Sequence, residues 1–222
     1  MNTLKIHNFT HDFFKRWLSF VSVPYNFLNI TFSLLLLKFS YEVTIISATI
    51  ATKSASNEVT DFIFLNFPRI DTSFIHGTLS FFLYDLRIPL FLIFIQYTPF
   101  AAKVLSCIIL LRALTINLTH LGMPDAIVPV HSAMTFGGDL FFSGHVANTF
   151  ILGLIFWNIK ILRYFFMSMS VIFGISAVLG HYHYSIDVIS APFFAYGVFV
   201  ICKKIFKKDY ANTTAQKITK KE

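Results

Sequence analysis

The chain has 222 residues, of which 55% are hydrophobic, 18% aromatic and only 13% charged, with a positive mean hydropathy. That balance excludes an ordinary soluble domain and points to an all-α, polytopic membrane protein with no soluble domain of any size. The net charge of +7 does not signal nucleic acid, because most of the charges flank apolar segments, as membrane topology requires.

Residues 1–22 mix basic, aromatic and apolar types (Lys5, Phe13, Phe14, Lys15, Arg16, Trp17), which suits an interfacial segment on the cytoplasmic membrane surface. The next apolar run is broken by Pro24 and Asn26 and no small-residue cleavage site follows it closely, so the first helix is expected to be retained. Residues 23–202 are predicted to form one membrane catalytic domain of six transmembrane helices. The first span, 27–50, carries Lys38 and Glu42 four residues apart, where they share a helix face and neutralise each other. A polar loop, 52–73, precedes the second span, 73–96, with Asp85 and Arg87. These two do not face each other on a helix, so each needs a partner elsewhere, and structural pairing is favoured over a substrate role.

Pro99 opens a third span that continues to about Thr119 and includes Arg112 near its far end. The loop 120–142 leads into Gly137–His145, read as GGDLFFSGH, and a fourth span, 143–159. Lys160 and Arg163 mark a very short turn before a fifth span that reaches Gly180. The cluster His181–Asp187, read as HYHYSID, begins the sixth, which ends at Cys202. Residues 203–222 are a basic cytoplasmic tail, expected to be disordered from 209 onward. Cys107 and Cys202 both fall in apolar runs, so neither a disulfide framework nor a thiolate metal site is legible.

Charge sets the orientation. Lys5, Lys15, Arg16, Lys103, Lys160, Arg163 and the seven lysines after residue 202 lie on one face, with only Lys53 and Arg69 on the other. By the positive-inside rule both termini are cytoplasmic, and both polar clusters face the periplasm or a lumen.

On that outer side lie His120, His131, His145, His181 and His183. His120 and His131 read as interfacial residues without a duty. His183 and Asp187 are four apart, so the carboxylate can orient an imidazole and raise its nucleophilicity. Ser143 is placed to cap the fourth helix, with Gly144 and His145 in its first turn, where free N–H groups attract a phosphate. His145 can then protonate a departing oxygen while His183 attacks phosphorus, as in-line displacement demands. A zinc reading of the same histidines is the chemical rival; no H-E-x-x-H pair or cysteine ligand completes it.

Ser143-Gly144-His145 followed by His183-x3-Asp187 resembles the lipid phosphate phosphatase (phosphatidic acid phosphatase type 2) superfamily, whose members use a phosphohistidine intermediate on a six-helix membrane bundle. More closely, GGDLFFSGH is similar to the C-G-D-x3-S-G-H motif of sphingomyelin synthases, and HYHYSID to their H-x-H-Y-T-x-D. Arg112-Ala-Leu-Thr115-x3-Thr119-x4-Pro124 resembles their arginine and threonine motif. The resemblance spans roughly residues 60–202. It implies that His183 is the nucleophile, Asp187 its orienting carboxylate and His145 the general acid. It further implies that Arg112, Asp139, Ser143 and Gly144 shape the phosphate site, with His181 beside them, and that neither metal nor organic cofactor takes part. Gly137 and Val146 depart from the synthases' cysteine and threonine, which bears on headgroup and acceptor choice more than on chemistry.

The hydrolytic members carry S-R-x5-H, and here Ser176 and Ala177 stand before His183, so that arginine is missing; their K-x6-R-P is missing too. A phosphomonoester carries up to two charges and a diester one, so fewer cationic clamps favour a diester. The reading is therefore a membrane phosphotransferase moving a phosphorylated headgroup from a glycerophospholipid to a lipid alcohol such as ceramide or diacylglycerol. A lipid phosphatase of the same fold is the enzymatic alternative. A non-catalytic channel or scaffold with a histidine vestibule is the alternative of another class. Donor, acceptor, membrane and oligomeric state are not legible.

Overall fold

A computed structural model describes residues 13–15, 17–124 and 138–214, and among these the regular structure is entirely helical. The first apolar run becomes α1 (Pro24–Lys53), opened by a proline in the first turn, where its missing N–H forfeits no bond. Its buried residues are all small: Ser33, Ser40, Ser47, Ala48 and Ala51. That stripe lets α1 lie close against α4 (Thr98–Leu118), the most deeply buried helix of the bundle. Between them come a short α2 (Phe62–Asn66), a π-helical turn Phe74–Leu79 that runs into α3 (Ser80–Ile93), and a 3-10 turn Ile95–Tyr97. Against α4 pack α5 (Gly144–Ile155) and α7 (Ser185–Ile205), and α6 (Lys160–Leu179) packs on α5 and α7. Phe100, Phe142, Phe156, Phe166 and Phe173, each fully buried, fill the space between them.

Four helical stretches are long and apolar enough to cross a membrane: Pro24–Lys53, Ile95–Leu118, Lys160–Leu179 and Ser185–Ile205. The other two expected spans take different forms. The second is interrupted, with the π-helical turn at its start and Pro89 inside α3. The fourth is α5 alone, whose 12 residues rise about 18 Å, against a hydrocarbon core of about 30 Å. The charges in these segments also differ from expectation. Lys38 and Glu42 are both exposed on α1 and no ion pair joins them. Arg87 is buried and its guanidinium lies 4.2 Å from the centre of the Tyr84 ring, whereas Asp85 is exposed.

The tail expected to be disordered from 209 instead forms α8 (Lys207–Thr214). Lys103 of α4 is buried and donates to Asp209 Oδ2 and Asn29 Oδ1, both at 2.6 Å, and Asn29 donates to Asp209 Oδ1 at 2.6 Å. A buried lysine needs such partners, and they hold α8 under α1 and α4. Of the segment 1–22, residues 13–15 and 17–21 are helical.

Candidate active site

The loop before α5 is shaped by one arginine. Arg112, near the end of α4, donates from Nε to the Phe142 carbonyl at 2.6 Å and from Nη2 to the Asp139 carbonyl at 2.8 Å, and its Nη1 pairs with the Asp139 carboxylate. Thr115, one turn on, donates to the Phe141 carbonyl at 3.1 Å. Phe142 is buried and stacks on Phe194 of α7 at 4.7 Å, so Asp139–Ser143 is anchored by its apolar side chains as well as its carbonyls. Gly144 is required by closeness: a Cβ there would stand 3.3 Å from Arg112 Nε. Arg112 therefore spends three of its contacts on the loop and shapes it through its backbone.

The second cluster meets this loop through the main chain. The Ser143 N–H donates to the Asp187 carbonyl at 3.0 Å, which joins the start of α5 to the first turn of α7. Helix α7 begins at Ser185, later than the sequence suggests, so His183 and Asp187 do not share a helix face. They meet because the turn before Tyr184 folds back, leaving His183 Nδ1 3.5 Å from Asp187 Oδ2. Asp187 is fully buried, and Oδ2 also accepts from the Tyr184 N–H at 3.1 Å. Ser143 is the N-cap residue as expected, yet its side chain makes no capping bond and its buried Oγ has no partner. That leaves a hydroxyl and the first-turn N–H groups of α5 as polar groups for an anion.

A third histidine, not foreseen from the sequence, completes the cluster. His76, on the π-helical turn, is buried beside His145, with ring centres 4.7 Å apart, and 6.4 Å from the His183 ring. One ring nitrogen from each of His76, His145 and His183 lies within 4.8 Å of the others, so the three could also hold a metal ion. No motif marks His76; the signal available was a lone imidazole in an apolar stretch, where an ionisable group is costly without a duty. Arg87 also comes close. A narrow crevice lined by Ser80, Tyr84, Arg87, His145, Thr149 and Phe173 runs along α3 and α5.

His181 is set apart from this cluster. It adopts a positive φ of 57°, stacks on Phe64 at 4.0 Å and lines a cavity of about 510 Å³ with Glu58, Asp61, Phe64 and Arg69. Asp61, the N-cap of α2, accepts from the Ser185 N–H and Oγ, both at 2.8 Å, which fastens this cavity to the start of α7. Burial pushes the Asp61 carboxyl up, but these bonds and those from the backbone of α2 outweigh it and hold it below the ordinary carboxylate range. His120 is exposed, and its carbonyl accepts from the Ser56 N–H. Gly137 and His131 lie outside the described residues.

Thus Ser143, Gly144, His145, His183 and Asp187 are brought together, Arg112 and Asp139 support them, and His181 sits in the adjoining cavity. Residues 137–204 match the PAP2 superfamily C-terminal family. The match contains His145, His183 and Asp187 and supports the phosphatidic acid phosphatase type 2 superfamily, whose members are phosphatases or phosphotransferases acting on phosphate esters. Arg112 and His76 precede the matched stretch. No curated protein and no solved structure matches the chain significantly.

Proposed function

We propose that the protein is a membrane phosphotransferase that moves a phosphorylated headgroup from a glycerophospholipid to a lipid alcohol, ceramide or diacylglycerol, through a phosphohistidine intermediate on His183. The observation that carries this reading is the bond from the Ser143 N–H to the Asp187 carbonyl, because it sets the turn bearing His145 against the pair His183–Asp187. In the first half-reaction a His183 nitrogen bonds to phosphorus, the bond from phosphorus to the diacylglycerol oxygen breaks, and His145 gives that oxygen its proton. In the second the acceptor hydroxyl passes its proton to His145, its oxygen bonds to phosphorus, and the bond to His183 breaks. Asp187 holds the His183 ring throughout, and Ser143 Oγ with the first-turn N–H groups of α5 faces the phosphoryl oxygens.

A lipid acceptor in place of water is supported by the surroundings. His183 is buried, and Leu83, Tyr84 and Phe173 stand among the residues beside His145, surroundings that keep water from the site. The second reading, a lipid phosphatase, is favoured by Arg87, which supplies near His145 a cation that the sequence motif lacks. Incubation with radiolabelled phospholipid and a lipid alcohol separates the two: labelled product lipid supports transfer, and released phosphate supports hydrolysis.

The mechanism is tested by trapping acid-labile phosphoenzyme after a short pulse. His183→Ala forms none with any donor. His145→Ala still forms it with a nitrophenyl phosphodiester, whose leaving group needs little protonation. Asp187→Asn resembles a weakened His183→Ala. Rescue of His183→Ala and not of His145→Ala by the activated donor reverses the assignment. The proposed topology has six crossings and cytoplasmic termini, so cysteines introduced as Ser132→Cys and Asn212→Cys label from opposite sides of the membrane. Labelling of both from one side refutes it.

A further inference from the structure

His76 Nδ1 lies 3.3 Å from Ser176 Oγ, and that hydroxyl lies 3.1 Å from the Phe173 carbonyl, which can only accept. When the Ser176 proton goes to that carbonyl, the neutral His76 ring donates from Nδ1 to Ser176 and keeps a lone pair on Nε2. The ring plane is held by stacking on Tyr182 at 4.8 Å. Nε2 is buried and has no partner among the described residues, although a buried polar atom ordinarily has one.

The His145 ring, at 4.7 Å, is nearer to His76 than the His183 ring, at 6.4 Å. His183 already has Asp187, whereas His145 has aromatic walls in Phe173 and Tyr84 and two guanidinium groups nearby, Arg112 and Arg87. As the general acid of the reading above, His145 must carry two N–H groups and aim one at the departing oxygen. The other needs an acceptor, and the nearest imidazole, His76, has a buried Nε2 to offer one.

Resting on that reading, we infer that His76 is the positioning residue of His145. Its Nε2 accepts a hydrogen bond from one N–H of the His145 imidazolium, and the remaining N–H points to the leaving or entering oxygen. The site is then two matched pairs, Asp187 holding the nucleophile and His76 holding the acid, with the sequence Phe173 carbonyl, Ser176 hydroxyl, His76, His145 forming one chain of donors and acceptors. Hydrogen bonds of this kind are commonly long before substrate binds and shorten in the complex. No atom of His76 is transferred: its Nδ1 proton stays on Nδ1, donated to Ser176 Oγ, through both half-reactions.

The test uses the full-length protein in vesicles of phosphatidylcholine and phosphatidylethanolamine carrying a fluorescent ceramide, with a nitrophenyl phosphodiester as the second donor. His76→Ala lowers kcat on the lipid donor by about 10²-fold with KM changed by less than about twofold, and lowers nitrophenyl turnover by less than about threefold. His76→Gln, whose amide oxygen can accept the same bond, recovers roughly a tenth or more of the lipid activity. Equal losses with both donors, or no recovery with glutamine, overturn the role of His76 and leave the function reading standing. A His183→Ala protein that still turns over the nitrophenyl diester removes that reading and the proposal with it. Metal analysis of chelator-dialysed protein supplies the last arm. One zinc per chain, lost in His76→Ala, overturns the proposal, because the Nε2 lone pair would be on the ion; a metal-free, active protein supports it.

Discussion

Replacing Arg112 by lysine keeps the charge and removes the fork. The guanidinium bonds the carbonyls of Phe142 and Asp139 and pairs with the Asp139 carboxylate. A lysine ammonium reaches at most one of these three well, so two charge-assisted bonds of about 1.5–3 kcal/mol each are lost, or ~3–6 kcal/mol in all. Fixing each loop residue costs ~1–2 kcal/mol of backbone entropy, so a loss of that size releases several residues of the Asp139–Ser143 segment. The Ser143 N–H then leaves the Asp187 carbonyl, and a displacement of about 1 Å between reacting groups lowers the rate about 10²-fold. The expected result for Arg112→Lys is a fall in kcat of about 100-fold with KM nearly constant, measured as initial rates of headgroup transfer in vesicles. Limited proteolysis should show faster cleavage within 138–143. A raised KM at unchanged kcat would refute the reasoning, since it would mean that Arg112 holds the donor's phosphate directly.

Other perturbations follow from particular contacts. Lys103→Met strands Asp209 in a buried position, which costs about 3–5 kcal/mol and lowers the melting temperature by roughly 10 °C. Adding Asp209→Leu recovers at least half of that loss, and an unchanged melt for the single variant contradicts the buried pair. Gly138→Ala puts a Cβ 2.5 Å from the Ala51 backbone, so activity falls about tenfold or more, while Gly197→Ala, with open space around it, is neutral in the same transfer assay. Asp61, held below the ordinary carboxylate range, stabilises the fold above that range, and its contribution is lost as pH falls through its lower folded value. Asp61→Asn therefore lowers the melting temperature at pH 7 and flattens the decline seen below about pH 4; parallel melting curves for the two proteins across that window argue against it.

How far the sequence could be read depends on how local each interaction is. His183 and Asp187 were legible because four residues separate them, though a turn and not a helix face brings them together. Ser143 and Gly144 were legible as a helix start for the same reason. His76 was not, since the groups that give it meaning, Ser176 and His145, are 100 and 69 positions away and belong to other helices. Arg87 was read as a structural charge, yet it also reaches the crevice beside His145, a fact of packing between α3 and α5. Hydropathy found the long spans and overextended α5, because an apolar run does not reveal where its backbone stops being helical. The tail was misjudged for a similar reason: Lys207–Thr214 is mostly polar, and its helix rests on the distant Lys103 and on Tyr210 packed against Phe100.

The Gly138 N–H donates to Thr52 Oγ1 at 3.0 Å, and its Cα lies tight against Ala51, so the catalytic loop is tied to the last turn of α1. Helix α1 has 30 residues, about 45 Å of rise, so in a bilayer it must tilt or project beyond the hydrocarbon. A change in membrane thickness alters that tilt and so moves Thr52 sideways. Through Gly138 the movement would be delivered to the loop before α5, which on the proposed reading would couple headgroup transfer to the lipid composition around the protein.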